Sequence, residues 1–378
     1  MVISSRAVAT VALASMIACQ PEPVDDLLFL PALVAETSAP LSHNNEIALT
    51  DDTTACVIES FELQVHCVDR NGRLVGRFGA EGEGPGEFRL LVDLRRAGEG
   101  RLAVFHGLNR VSVFEAVGNL LFESALADFF LPKAHFGSTI HGYSASYFPL
   151  SVSPPSGRGG LMPGFPGRVT VDLMEVDAKT GHVLWTRGVE NLVAACPLLR
   201  PGPPRPQGGW VLMGLWECEG KLVFLDHRDS QNGAVFDSPT YVEELPNERD
   251  VAAELESNRR MTGWTGMAPP DAGSSESERT FRETSKPWFL RGSAMVFDDR
   301  DRLWVATNLD RDDFSYFDIW VDTDHAAKVR IRDRLMGYDL MGSTLVALVE
   351  RKPGPNGIAE RAIDWYDIGA LEIGRPTG

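Results

Sequence analysis

Long apolar runs are nearly absent from this 378-residue chain. The one stretch of note, residues 7–18, is 12 residues long, short of the roughly 20 that a membrane-spanning helix needs. Lysine is scarce, at six residues, and no cluster of Lys and Arg occurs. With a formal net charge of −17, this excludes nonspecific binding to nucleic acid or to an anionic membrane face. No serine nucleophile elbow, zincin helix or dinucleotide fingerprint is present. The glycine-rich residues 79–86 lack the Lys-Ser/Thr of a phosphate loop, and Pro85 interrupts amide donation, so they read as a turn between sheets. The acidic turns at 51–52, 298–301, 310–313 and 322–324 do not follow the twelve-residue calcium-loop pattern and read as solvated turns and caps.

What is present begins with an export pattern. Arg6 and the apolar residues 7–18 precede Ala18-Cys19-Gln20. This looks like a bacterial lipoprotein signal: residues 1–18 form the signal peptide and Cys19 is lipidated. Gln20, rather than Asp, resembles the outer-membrane sorting class. Met16 departs from the Leu usual three places before the cysteine, and plain secretion is the alternative. Residues 19–40 then form a tether, with 27–35 as an edge or closing strand.

The other four cysteines fall in two pairs. Cys56 and Cys67 flank the polar 60–62 corner, and Cys196 and Cys218 flank the 201–209 loop. Each pair reaches disulfide distance across a hairpin, which fits an oxidising compartment; buried free thiols are the alternative.

One phrase recurs along the chain: an apolar strand, an acidic residue, a turn, another apolar strand. The acid falls at Asp69, Glu115, Asp177, Asp226, Asp322 and Asp367. Six units result, with a period in the high forties and insertions in the third and fifth. A four-stranded antiparallel sheet needs about this length, and such sheets arranged radially make a β-propeller. The expected fold is therefore all-β, a six-bladed propeller over residues 41–370 followed by a tail, 371–378; a sandwich or solenoid is the alternative. Residues 149–167 read as a surface loop. A helical or disordered insertion is expected near residues 247–286. Asn247 caps a helix from Glu248 to about Met261, Asp250 completes a capping box, and 267–286 is polar and mobile.

Residues 69–88 read DRNGRLVGRFGAEGEGPGEF. Asn71-Gly72 predicts a tight turn between two strands. Glu87 is placed to bond backbone amides and Phe88 to plug a gap between units. This stretch resembles a hallmark of bacterial six-bladed β-propeller lipoproteins, related in shape to NHL-repeat and TolB-like propellers, in which a D-x-x-G turn leads to an R-x-G-x-x-G-x-GPGEF segment. Asp69, Gly72, Arg77, Gly79, Gly82, Gly84, Pro85, Gly86, Glu87 and Phe88 match. Residues 298–308, DDRDRLWVATN, resemble the family's D-x-x-G-x-LWV phrase, with Arg300-Asp301 where a glycine turn is usual. The resemblance implies fold and address and carries no catalytic residues.

Candidate sites are few. Trp264 and Trp288 flank the insertion and are candidates for a ligand face. Of eight scattered histidines, His106, His135 and His141 are the candidates for a metal at a propeller centre. No cofactor is called for, and a divalent metal is left open. The sequence thus suggests a noncatalytic, lipid-anchored propeller of the bacterial cell envelope, periplasmic or on the outer membrane. It would bind a protein, peptide or glycan through its loop face and meet the membrane through its lipid alone. The alternative is an extracytoplasmic metal-dependent hydrolase or lyase with its site at the propeller centre.

Overall fold

The computed structural model describes residues 27–33, 41, 45–98, 100–107, 109–115, 118–126, 130–136, 138–149, 167–188, 199–205, 208–214, 219–226, 233–252, 255, 275–290, 294–309, 313–353, 359–371 and 373. They form six antiparallel sheets, the blades of a propeller. Blade one is β2 (Ile47–Leu49), β3 (Thr54–Glu59), β4 (Gln64–Asp69) and β5 (Leu74–Phe78). Blade two is β6 (Leu91–Arg96), β7 (Arg101–His106), β8 (Arg110–Glu115) and β9 (Leu120–Ala125). Blade three is β10 (Phe130–Phe136), β11 (Thr139–Pro149), β12 (Gly167–Asp177) and β13 (Val183–Gly188). Blade four is β14 (Leu199–Pro204), β15 (Trp210–Gly214), β16 (Lys221–Leu225) and β17 (Gly233–Asp237). Blade five is β18 (Met295–Phe297), β19 (Arg302–Thr307), β20 (Phe314–Val321) and β21 (Asp324–Arg332). Blade six has three strands, β22 (Arg334–Met341), β23 (Thr344–Glu350) and β24 (Arg361–Asp367). The acids of the sequence repeat end or directly follow the third strand of each blade.

Middle strands are buried on both faces. In β3 five successive residues, Ala55 to Glu59, are buried, a run that an open sheet with one wet face would not show. The innermost strands β2, β6, β10, β14, β18 and β22 contact one another in that order, and β22 returns to β2. Packing closes the ring: Ile47, Leu49 and Val57 meet Val346, Leu348 and Trp365 in one apolar cluster. The Leu49 amide donates to Asp339 Oδ2 at 2.8 Å across this seam. Gly337 is required there, because a Cβ would lie 1.9 Å from the Asn45 carbonyl oxygen.

The N-terminal strand β1 (Leu27–Phe29) runs parallel to β21 on the outer edge of blade five. Leu30 N then donates to Arg330 O at 3.0 Å and Leu33 N to Trp365 O at 2.7 Å. This segment thus crosses the rims of blades five and six and does not complete blade six as a fourth strand.

The glycine-rich stretch has a mechanical explanation. Asp69 Oδ1 accepts from the amides of Asn71 and Arg73, both at 2.9 Å, and Gly72 takes a φ of 73°. Past β5 the chain folds back so that Phe88 is fully buried against Phe114 and His106. Gly79, with φ of 89°, lies under the Phe88 ring, where a Cβ would come within 2.3 Å of it. Glu87 Oε2 accepts from Gly84 N at 2.8 Å. These contacts give Glu87 and Phe88 the roles expected of them.

Other expectations need correction. Residues 201–204 of the expected 201–209 loop belong to β14, the innermost strand of blade four. Proline cannot donate to a ladder, but an innermost strand has a free edge, which tolerates it. Within 267–286, expected to be mobile, Ser275–Glu283 is a helix. Arg282 ties it to Glu278, one turn back, and to Glu248. The Asn247 cap forms as predicted: its Oδ1 accepts from Arg249 and Asp250, both at 3.0 Å, and Asp250 Oδ2 accepts from Asn247 N. Residues 248–252 are helical.

Cys56 and Cys67 are directly opposed on β3 and β4 and form a disulfide, with Cα atoms 4.0 Å apart. The bridge closes a loop with a sequence separation of 11. Loop-closure entropy puts its contribution at roughly 2–3 kcal/mol. Reduction is expected to lower stability by that amount, read from the urea midpoint with and without dithiothreitol. An unchanged midpoint in fully reduced protein would contradict this. Cys196 and Cys218 lie outside the described residues.

Candidate functional site

Innermost strands that border a channel face fewer packing partners, so they can carry charge. Where these strands finish, they enclose a cavity of about 390 Å³ on the propeller axis. Blade two supplies Arg95 and Arg96 and blade three Lys133. Blade four adds Pro203 and Pro204. Blade five adds Met295 and, in the turn after β18, Asp299 and Asp301; blade six adds Asp339. In a ring of six, blade two faces blade five. The wall carrying Arg95 and Arg96 is therefore opposite the wall carrying Asp299 and Asp301.

Arg95 is held from below. Its Nε and Nη2 donate to Asp93 Oδ2 at 3.2 and 2.9 Å, and Glu46 lies 3.8 Å from Nη2. A register shift in β6 between Leu91 and Asp93 sets these side chains. Burial, reinforced by the Asp93 charge, pushes the Glu46 carboxyl up to about 8, against the pull of Arg95. At neutral pH Glu46 therefore keeps its proton and hydrogen-bonds Asp93. Asp339 accepts from the amides of Leu49 and Leu340, both at 2.8 Å. Burial raises its pKa, opposed chiefly by Arg96.

On the opposite wall Asp298 organises the turn and is only 3% exposed. It accepts from Arg300 N and Arg302 N through Oδ1, and from Arg302 Nε and Trp304 Nε1 through Oδ2, at 2.6–3.0 Å. Asp301 takes a φ of 59°, a conformation aspartate tolerates better than most residues. Its Oδ2 accepts from Arg205 at 3.3 Å, while its Oδ1 is buried with no hydrogen-bond partner. Burial raises the Asp301 pKa against the pull of Arg205.

The residues singled out from sequence are not brought together here. His106 is 3% exposed inside blade two, its Nε2 donating at 2.8 Å to Ser112 Oγ, which donates to Glu123. Burial pushes its pKa down to about 4 despite the neighbouring Glu123. It is packed in the interior of blade two. His135 and His141 lie on β10 and β11 of blade three, in register with Ile140 and Ala134. His141 Nδ1 lies 3.5 Å from Glu175. Among the described residues no three His, Cys, Asp or Glu side chains are placed to share a metal ion. Trp288 is 3% exposed and packs edge-on against Tyr241. Trp264 and Cys19 lie outside the described residues. No helix among the described residues is long and apolar enough to cross a membrane.

The charged lining was missed from sequence, yet it left a signal. Asp93, Arg95 and Arg96 sit within a strand-length segment, LVDLRR, shortly before the apolar strand segment RLAVFH.

No protein-family model matches the sequence, and no curated protein matches it. Among solved structures, the chain is similar to a DUF4221 family member from Bacteroides vulgatus, at 12% identity and a TM-score of 0.43, covering 88% of this chain and 95% of that one. It is also similar to a protein described as exported from Bacteroides fragilis, at 10% identity and a TM-score of 0.41, covering 90% and 98%. A third, a protein of unknown function from Bacteroides caccae, has 8% identity and a TM-score of 0.40, covering 85% and 97%.

Proposed function

We propose that the chain is a noncatalytic binding propeller of the bacterial cell envelope, anchored by lipid at Cys19, and that it binds its ligand at the axial cavity and surrounding loops. The observation that carries the reading is the cavity itself. At about 390 Å³ it falls in the size range of small-ligand sites, and it offers fixed charges of both signs beside an apolar wall. A protein, peptide or glycan presenting a polar end would fit such a mouth. The Cys56–Cys67 disulfide supports the extracytoplasmic address. No observation specifically favours the metal-dependent hydrolase or lyase.

A thermal-shift screen of the purified chain against peptide and glycan pools tests this. A ligand at 100 times its Kd stabilises by about 2.7 kcal/mol, which raises Tm by a few degrees. The expected hit is recovered unchanged by mass spectrometry. A hit that is consumed would make the protein an enzyme, and no hit in any pool would remove the binding reading.

The anchor has its own test. Wild-type protein expressed with its full N-terminus should partition into the detergent phase of Triton X-114, and Cys19→Ser should move to the aqueous phase. Equal partitioning of the two would reject lipidation at Cys19.

A further inference from the structure

We infer that the axial cavity recognises a carboxylate group, seated on the wall of blades two and three with Arg96 as its main hydrogen-bond donor. This rests on the binding reading above and narrows it to one ligand chemistry.

Charge around the cavity is segregated. Arg95 and Arg96, at the end of β6, and Lys133, on the neighbouring β10, bring three cations to adjoining walls. The acids Asp298, Asp299, Asp301 and Asp339 line it from blades five and six, which face blades two and three across the ring. These acids are engaged. Asp298 holds Arg302, Trp304 and two turn amides, and Asp301 pairs with Arg205. Asp299 accepts from Gly342 N at 2.6 Å. Asp339 takes one backbone amide on each oxygen. Among the cations, Arg95 is held by Asp93 through two hydrogen bonds, and Lys133 Nζ lies 5.7 Å from the Tyr143 ring. Arg96 differs. It acts on Asp339 through its charge, but makes no hydrogen bond or salt bridge among the described residues. It is half-buried and lines the cavity, so it keeps surface that a ligand can touch.

A guanidinium presents paired N–H donors whose spacing matches the two oxygens of a carboxylate. Arg95 and Lys133 beside it add to the attraction without having to release their own contacts. A neutral ligand would leave this wall without a counter-charge. A cation would be repelled by it and would find the facing acids already taken by Arg205, Arg302 and backbone amides. A phosphate dianion would bring two charges towards Asp299 on the facing wall, where a carboxylate brings one. Pro203, Pro204 and Met295 offer apolar contact to the rest of the ligand. Peptide C-termini and uronic acids both carry the required group, and the test separates them.

The test uses the purified full chain and two matched pairs of probes. One pair is a tripeptide library with free or amidated C-termini; the other is trigalacturonic acid or its methyl ester. Retention is measured by equilibrium dialysis and mass spectrometry. In one pair the acid is expected to be retained about tenfold more than its neutral partner, the scale of one charge-assisted hydrogen bond. That pair names the source of the carboxylate. Arg96→Met should bring the ratio close to one. Arg96→Lys, which keeps the charge without the paired donors, should keep part of the preference. Asp299→Asn, which removes charge from the facing wall and keeps an acceptor for Gly342, should raise retention of the acid by about threefold. Where Arg96→Met folds poorly, the other two variants locate the site. Equal retention within both pairs, or retention of no probe, overturns the inference. So does an acid preference that the folded variants leave unchanged. If the thermal-shift screen yields a neutral ligand while neither acid is preferred, the binding reading survives and this narrowing does not. If neither experiment finds a ligand, both fall.

Discussion

Replacing Asp298 with alanine is expected to destabilise the propeller by about 3–5 kcal/mol, the range seen when one partner of a buried ion pair is removed. Arg302 is 4% exposed and Trp304 is fully buried, so neither can turn to water. Arg302 Nη1 already lacks a hydrogen-bond partner, which makes its Nε bond to Asp298 the more important. The amides of Arg300 and Arg302 would lose their acceptor as well. Asp298→Asn, which keeps an acceptor for the turn but removes the charge, should fall between wild type and alanine. Combining it with Arg302→Met should recover part of the loss, because removing both charges leaves no buried cation uncompensated. Urea unfolding midpoints measure all three. A loss under 1 kcal/mol for Asp298→Ala would show that the turn does not depend on this carboxylate. Asp301 beside it lines the cavity, so damage to the turn would also reach the proposed ligand site.

The second large effect is a dependence on pH. Glu46 titrates at about 8 in the folded chain against an ordinary value of 4.5. Below 4.5 both folded and unfolded chains hold the proton, and Glu46 adds no pH dependence. Between 4.5 and 8 only the folded chain holds it, so protein stability falls as pH rises. Above about 8 the loss levels off. The separation of 3.5 units, at 1.36 kcal/mol per unit, sets the scale at roughly 5 kcal/mol over the whole window. Glu46→Gln has no proton to lose and can still donate to Asp93. It should remove most of this slope and stabilise the protein by roughly 3 kcal/mol at pH 7. The raised carboxyls of Asp301 and Asp339 act with the same sign, so the difference between wild type and Glu46→Gln is the informative quantity. Parallel stability curves from pH 4 to 9 for the two proteins would mean that Glu46 ionises normally.

The parts of the fold legible in the sequence were those with two packed faces. Strands such as β3, β7, β8 and β23 are runs of apolar residues, and the acid and turn after each third strand gave the number of blades. The innermost strands were mostly illegible. β2 and β18 are apolar throughout, but β6, β10, β14 and β22 are interrupted by charge, proline or glycine. These strands meet neighbours on their flanks and the channel at their free edge, so the apolar pattern breaks. β6 carries Asp93, Arg95 and Arg96, β10 carries Lys133, and β14 is LRPGPP. The same substitutions that hid these strands make the cavity polar. The candidate site was therefore hidden by the features that form it. His106 and Trp288 are candidates by residue type and place along the chain, yet both are buried at 3% exposure. Their places in the folded chain are set by packing, which a residue list does not reveal.

The position of β1 also fixes which edge of the molecule an N-terminal lipid would hold near a surface. Seven residues, 20–26, separate Cys19 from Leu27. Fully extended they reach at most about 25 Å. With lipid at Cys19, the outer rim of blade five would be tied that close to the bilayer, because β1 is fastened along β21. Attachment at the rim leaves both mouths of the channel away from the tethered edge. A soluble ligand could then approach the axial cavity without crossing the bilayer surface, and a partner embedded in the membrane would meet the rims of blades four to six instead.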